Sequence, residues 1–254
     1  MVKSRLGIYF ALSFISLAVL SATISAVTGA QSREEEEDDE DALTDKLPDG
    51  IELRVFVHRP RVLKPNHLGT CRPSSNSNVN HFEVAPWHLP GPVVWSLNRR
   101  TVPRSVAEGV DGVLTDSFNA WYSDGTFTQG SDTRAKRARL DQVNAIMWKT
   151  LPRSTLGATF VWYSNTGEVM EVDTVFNKRH RWANFQNSPD CQSSPDAYDL
   201  QNIATHEFGH WIGLDDLYDD AHRDLTMYGF GAGGEVKKRT LGIGDASGRN
   251  TLDP

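Results

Sequence analysis

Four short segments combine apolar, β-branched and aromatic residues in patterns that predict β-strands. They cover residues 93–97, 144–148, 159–163 and 168–176, and residues 51–58 (IELRVFVH) alternate well enough to predict another strand. In segment 168–176, the period of two places Val172 and Phe176 on the inner face with Met170 and Thr174. The same period directs Glu171 and Asp173 outward.

Two further segments have helical spacing. Apolar residues from Val106 to Phe118 recur at intervals of three and four, which predicts an amphipathic helix of about eighteen residues. A later helix is predicted over residues 199–214, with Asp199 as its N-cap and Gly213 where the chain must leave it. Several strands with one early and one late helix predict an α+β domain with a twisted mixed sheet.

The N-terminal region has a different character. Residues 1–30 contain a basic start, an apolar stretch and small residues up to Ala30, which predicts a cleaved secretory signal peptide. An uncleaved membrane anchor is the alternative, although serines and threonines interrupt the apolar stretch. Residues 31–89 are interpreted as an acidic linker and N-terminal extension, a candidate pro-segment. The compact domain is predicted over residues 90–254.

Charge and cysteine content narrow the choice of function. The net charge is −7, but residues 34–41 (EEEEDDED) contribute eight negative charges, so the rest of the chain is close to neutral. Nothing in this balance favours nucleic-acid binding. The two cysteines, Cys71 and Cys191, are predicted to form one disulfide, because an exported chain with an even pair is most simply cross-linked.

The segment HEFGHWIGLDD, residues 206–216, carries the strongest chemical signal. His206 and His210 are four residues apart, so both imidazoles project from one face of a helix and can bind one zinc ion. Glu207 is then placed to accept a proton from a zinc-bound water. An ordinary buried helix with two hydrogen-bonded histidines would show the same short pattern.

The residues after this pattern favour the metal site. Gly213 allows a bend back towards the metal, and Asp216 follows three residues later as an oxygen donor that zinc accepts. Met227 lies eleven residues after Asp216. The segment resembles the elongated HExxHxxGxx(H/D) signature of metzincin peptidases, followed by the methionine of their Met-turn.

Within the metzincins, residues 90–245 resemble a matrixin catalytic domain of a short prokaryotic kind, and aspartate as third ligand resembles the snapalysins. The resemblance implies a secreted zinc endopeptidase that acts on protein or peptide substrates. One zinc ion would be held by His206, His210 and Asp216, with Glu207 as general base and Met227 as structural support. We expect a monomer without a membrane anchor once the signal is removed.

Several assignments stay open. Cys71 could be a latency ligand on zinc instead of a disulfide partner. Tyr228 could donate a hydrogen bond to the oxyanion or simply pack. The strand at 168–176 could be the edge that pairs with substrate or an interior strand. Calcium could bind a cluster of acids, although a solvated loop is the simpler account. The cluster contains Asp215, Asp216, Asp219, Asp220 and Asp224.

Three further expectations concern what lies around the site. Only His180 is near the position of a second, structural zinc in matrixins, so that site is predicted to be missing. His58, His67, His81 and His88 are assigned no role, and the loop 229–239 is expected to shape the specificity pocket. The alternatives to a peptidase are an inactive metal-binding relative and a secreted binding module. In such a module, Trp87, Trp95 and Trp162 would line a groove.

Overall fold

The computed structural model describes residues 47–61, 73–185 and 195–252. The predicted signal peptide, the acidic run, Cys71 and Cys191 lie outside these residues. Helices α1, α2 and α3 cover Val110–Asn119, Leu200–Trp211 and Ile243–Leu252. None of the helices among the described residues is long and apolar enough to cross a membrane.

The strands are β1 Ile51–Pro60, β2 Val93–Leu97, β3 Phe127–Gln129, β4 Asn144–Lys149, β5 Gly157–Ser164, β6 Val169–Asn177, β7 Arg181–Ala183, β8 Ala197–Asp199 and β9 Phe230–Gly231. Seven of them form a mixed sheet at the centre of the fold, in the order β3-β2-β4-β6-β5-β1-β9. Strand β5 is antiparallel to both of its neighbours, β6 and β1, whereas the other adjacent pairs are parallel. Strands β7 and β8 form a separate two-stranded sheet. The α+β class predicted from the sequence is confirmed at this level.

Helices α1 and α2 cover one face of the sheet and enclose the main core. Phe118 of α1 stacks on Phe208 of α2 at 3.7 Å between ring centroids. The opposite face carries a smaller apolar cluster around Met147, Phe160 and Trp162. Because the main core lies between the sheet and α2, the residues of α2 are buried throughout its length.

Helix α1 is shorter than the sequence pattern predicted. It begins at Val110, because Gly109 at its N-terminal boundary has a left-handed backbone with φ of +76°. Val106 still contributes to the core from the preceding turn. Apolar spacing therefore identified the buried side chains correctly, but it overestimated the length of the helix.

Strand β6 takes the interior position, one of the two alternatives left open for segment 168–176. The strand lies between β4 and β5, so it cannot be an edge that pairs with substrate. Glu171 and Asp173 point away from α2, yet both are buried, because the segment before β4 and the start of β4 cover them. Backbone N–H groups of Asp141 and Ala145 donate to Glu171 and Asp173 at 2.8 Å and 2.7 Å. Alternation identifies the two faces of a strand but not what covers each face.

Strand β1 extends the fold beyond the predicted domain boundary at residue 90. It pairs with β5 over eight residues, from Ile51 opposite Ser164 to His58 opposite Gly157. The predicted strand at 51–58 is confirmed, but it belongs to the central sheet. Backbone pairing with a distant strand has no local signature, so this position could not be predicted from the sequence.

The seven tryptophans of the chain are all buried, with at most 2% of each side chain exposed. Trp87, Trp95 and Trp162 therefore present no aromatic surface to a ligand. The groove that a tryptophan-based binding module would need is not formed by these residues.

Candidate metal centre

Helix α2 carries the two histidines into the interior. Asp199 caps its N-terminus and accepts a hydrogen bond from the Asn202 N–H at 2.9 Å, as predicted. Arg239 also donates to the Asp199 carboxylate, from Nε at 2.8 Å. His206 and His210 lie one turn apart on the same face and are fully buried.

The end of α2 brings Asp216 to the histidines. Gly213 has φ of +104°, and a side chain there would collide with the Trp87 carbonyl oxygen at 2.6 Å. The bend that follows places Asp216 Oδ1 at 3.1 Å from His206 Nε2 and 3.7 Å from His210 Nε2. The predicted register, with Asp216 as the third member, is therefore the one that the fold brings together.

The hydrogen bonds of the two imidazoles fix which nitrogen faces this centre. His206 Nδ1 lies 2.8 Å from the Thr226 carbonyl oxygen, and His210 Nδ1 lies 2.8 Å from the Leu214 carbonyl oxygen. A carbonyl can only accept, so each Nδ1 carries the proton and each Nε2 presents a lone pair. Burial lowers the pKa of both histidines, which favours this neutral form.

The atoms that face the centre have no hydrogen-bond partner among the described residues. They are His206 Nε2, His210 Nε2, Asp216 Oδ1 and Glu207 Oε1. Buried polar atoms are normally satisfied, so four unpartnered acceptors around one point require an explanation. The two Nε2 atoms and a carboxylate oxygen of Asp216 all lie within 4.8 Å of one another, a spacing that can hold a metal ion.

Asp216 is held in its ionised form. Burial opposes its ionisation, whereas the hydrogen bond from Tyr218 favours the carboxylate and lowers its pKa. Tyr218 donates its hydroxyl to Asp216 Oδ2 at 2.9 Å, which leaves Oδ1 for the centre. Hydrogen bonds of this kind orient the ligand atoms of metal sites.

Glu207 lies beside the histidines at the end of a hydrogen-bonded chain. Thr159 on β5 donates to Glu207 Oε2 at 2.6 Å. Its oxygen lies 3.0 Å from the Thr174 hydroxyl, which accepts from Trp211 Nε1 at 2.9 Å. Burial raises the pKa of Glu207 to about 8 although Thr159 opposes the shift. Oε1 is left as a strong proton acceptor.

Met227 packs against α2 beside the candidate metal centre. A methyl group at Gly209 would lie 2.2 Å from Met227 Sδ, so the thioether packs directly against the helix between the two histidines. The turn itself is held by Asp245, which accepts from the N–H groups of Thr226 and Met227 at 2.8 Å and 3.0 Å. Asp245 was not singled out in the sequence, because its partners are backbone groups that leave no pattern.

His58 reaches the same centre although the sequence assigned it no role. It is 1% exposed, and its Nδ1 lies 3.6 Å from Glu207 Oε1. His58, His206 and Glu207 form a second group that could hold a metal ion. The amine of Lys238, also fully buried, lies 3.1 Å from His58 Nε2. The alternation of β1 places His58 and Phe56 on the same face of the strand. The pairing of β1 with β5 then determines that this face is turned towards α2.

Other candidate residues have different partners. The Tyr228 hydroxyl donates to Asp220 Oδ1 at 2.5 Å, a contact that supports the packing alternative. Asp215 forms an ion pair with Arg54, and Asp219 caps a short 3-10 helix. Among the described residues, no metal-compatible group contains Asp215, Asp219, Asp220 or Asp224.

His180 lies apart from the centre, with Nε2 at 2.9 Å from the Thr155 carbonyl oxygen.

No protein-family model matches the chain, and no curated protein matches it.

Proposed function

We propose that the chain is a secreted zinc-dependent endopeptidase of the metzincin type, similar to the matrixins. His206, His210 and Asp216 would hold the zinc ion, and Glu207 would be the general base. The observation that carries this proposal is the set of buried, unpartnered acceptors around one point. Two neutral imidazoles and one carboxylate are a donor set that suits zinc, whereas calcium and magnesium prefer oxygen alone.

The reaction would be the hydrolysis of a peptide bond. Zinc in this site would supply Lewis acidity towards the peptide carbonyl and towards water. Glu207 would accept a proton from the attacking water at Oε1 and transfer it to the leaving amine as the carbon–nitrogen bond breaks. Its raised pKa suits both steps, since a buried carboxylate accepts a proton readily and releases it to a stronger base.

Thr159 and Met227 would have positioning roles. The Thr159 hydroxyl fixes Oε2, so that Oε1 is the oxygen available for proton transfer. Met227 packs against α2 at Gly209, between the two histidines. Neither side chain would touch the substrate.

The test is metal content measured together with peptide cleavage. We expect the protein to hold about one zinc per chain, Glu207→Ala to keep the metal but lose cleavage, and Asp216→Ala to lose the metal. Asp215→Ala is the matched control, because the adjacent acid faces Arg54 and should leave zinc content unchanged.

Each contrary result has a definite meaning. If Asp216→Ala retains zinc and Asp215→Ala loses it, the assignment of the third ligand is wrong. If the protein binds zinc but Glu207→Ala cleaves as well as the unaltered chain, the role of Glu207 is wrong. A protein that holds no zinc would end the metallopeptidase proposal.

A further inference from the structure

A cavity lies at the carboxyl ends of three neighbouring parallel strands. Strand β4 is parallel to β2 on one side and to β6 on the other. Asn98 follows β2, Lys149 ends β4 and Lys178 follows β6, and all three line a cavity of about 700 Å³. The carboxyl ends of parallel strands are a common place for ligand sites, and this volume suits a small molecule.

The lining of this cavity, called the basic cavity below, carries a concentrated positive charge. Five of the nine described residues that line it are lysine or arginine, and none of the nine is acidic. The five are Arg100, Arg134, Lys136, Lys149 and Lys178. Asp132, the acid closest in sequence to Arg134, is already paired with Arg99 at 3.1 Å. Because charges of one sign lining a concave surface attract counter-ions, the basic cavity favours anions.

Two buried polar atoms of the lining have no hydrogen-bond partner among the described residues. They are Trp148 Nε1 and Asn98 Oδ1, and the two residues are 1% and 3% exposed. Buried polar groups are normally paired, so these two atoms require an explanation. The indole N–H can only donate, and an anionic oxygen of a ligand would be a suitable acceptor for it.

The orientation of the Asn98 amide is fixed by its other atom. Asn98 Nδ2 donates to the Ala135 carbonyl oxygen at 2.6 Å, and a carbonyl can only accept. The atom left without a partner is therefore the amide oxygen, which needs a donor. Ionised phosphate and sulfate groups offer only acceptors, whereas a hydroxyl group can donate. The lining thus calls for a ligand that combines anionic groups with a hydroxyl.

We propose that the basic cavity binds a sugar or cyclic polyol that carries at least two phosphate or sulfate groups. The lysines and arginines would bind the anionic groups, one of which would also accept from Trp148 Nε1. A free hydroxyl of the ligand would donate to Asn98 Oδ1. This inference is independent of the proposed peptidase function, because no lining residue belongs to the candidate metal centre.

The first experiment is calorimetric titration of the full chain with two probes. Inositol trisphosphate tests phosphate esters, and a trisulfated heparin disaccharide tests sulfate esters. We expect binding at one site per chain, and the tighter probe identifies the anionic group, whereas unsubstituted inositol should not bind. Binding of neither probe would overturn the proposal. Retention on long heparin chains without binding of either probe would also overturn it, because that result needs only a basic surface.

The second experiment tests the hydroxyl contact with Asn98. Deoxyfluoro analogues of the tighter probe, one for each free hydroxyl, keep its charge and size but remove one donor at a time. One analogue should bind about tenfold more weakly than the probe, because it leaves the buried amide oxygen without a partner. Equal affinity of all the analogues would overturn the hydroxylated ligand.

Charge-reversed variants test whether the basic cavity itself is the binding site. We expect Lys136→Glu/Lys178→Glu to weaken binding of the tighter probe by about tenfold or more. Arg104→Glu/Arg223→Glu is the matched control, because it changes the net charge equally at exposed residues that do not line the cavity. The control should bind nearly as well as the unaltered protein. Equal weakening in the two variants would overturn the proposal, since it would reveal only a general charge effect.

A third measurement uses the unaltered protein and does not depend on the variants folding. The indole N–H signal of Trp148 should shift in a proton–nitrogen correlation spectrum when the tighter probe saturates the protein. Trp87 and Trp121 donate from Nε1 to the carbonyl oxygens of His210 and Thr205 at 3.1 Å and 2.7 Å, so their indole signals should not move. A Trp148 signal that stays in place at saturation would overturn binding in the basic cavity.

Discussion

At the scale of single residues, the proposed chemistry depends on hydrogen bonds to residues that are far away in sequence. Thr159 lies on β5, 48 residues before Glu207, yet its hydroxyl is 2.6 Å from Oε2. Spacing within the segment HEFGH predicted which side chains share a helix face. It carried no information about Thr159, Thr174 or His58, because these residues lie on three different strands of the sheet.

Removing the Thr159 hydroxyl should weaken catalysis without removing the metal. A hydrogen bond to a charged group contributes about 1.5–3 kcal/mol, so we expect Thr159→Val to lower kcat/KM by about tenfold or more. Thr159→Ser keeps the hydroxyl and should stay close to the unaltered protein. Steady-state kinetics and zinc analysis check this, and a loss of zinc in Thr159→Val would contradict a purely positioning role.

Glu171 should make stability fall as pH rises. Burial raises its pKa from 4.5 to about 7, so between these values the folded chain retains a proton that the unfolded chain has released. Its contribution to stability is complete below about pH 4.5 and is lost as pH rises through 7. After allowance for solvent screening, about 1 kcal/mol is at stake.

The check is denaturant unfolding between pH 4.5 and 8. Glu171→Gln cannot titrate, so its free energy of unfolding should vary less over this range than that of the unaltered protein. Identical pH dependence in the two proteins would show that Glu171 does not carry the effect.

At the scale of elements, α2 packs closely against the turn around Met227. Gly209 lies against Met227 Sδ and also close to Trp121, so the helix approaches the turn without a side chain between them. Asp245 in α3 fixes the turn through backbone N–H groups. The sequence predicted both pieces separately, as a helix with two histidines and a methionine downstream. Their contact depends on how α3 and the turn pack, which the spacing does not specify.

Gly209→Ala should be destabilising although alanine favours helices. The new methyl group would lie 2.2 Å from Met227 Sδ and 2.8 Å from the Trp121 ring, and such overpacking costs about 1–3 kcal/mol. Gly112→Ala in α1 is the matched control. Its methyl group would meet nothing within 4 Å, so the helix propensity of alanine should stabilise the protein by about 0.5–1 kcal/mol. Opposite signs in thermal unfolding are expected, and equal effects would contradict the close contact at Gly209.

At the scale of the whole molecule, the centre is both a proposed catalytic site and an interior junction. The sheet, α2, the turn around Met227 and β1 all meet there. Buried polar atoms without a hydrogen-bond partner come from α2, from β1 and from Asp216 in the segment after α2. Zinc at this junction would bind the folded chain far better than the unfolded one, because the three proposed ligands converge only after folding.

Metal removal should therefore lower the melting temperature. At a free zinc concentration of 100 to 1,000 times Kd, binding stabilises the fold by about 2.7–4 kcal/mol. For a chain of this size that corresponds to a decrease of about 5–15 °C after chelation. Calorimetry with and without a chelator measures it, and Asp216→Ala should show no such decrease. A melting temperature that is insensitive to chelation in the unaltered protein would argue against zinc at the junction.

The sequence by itself determined what depends on local periodicity. It predicted the strands at β1, β2, β4, β5 and β6, the N-cap of α2, the glycine at its end and the register of Asp216, because each follows from spacing along one element. The tertiary structure decided what depends on pairing between distant segments. The interior position of β6, the burial of Glu171 and Asp173 and the place of β1 over the centre all follow from it. Backbone pairing is the same for nearly any residue, so no local pattern shows which strand lies beside which.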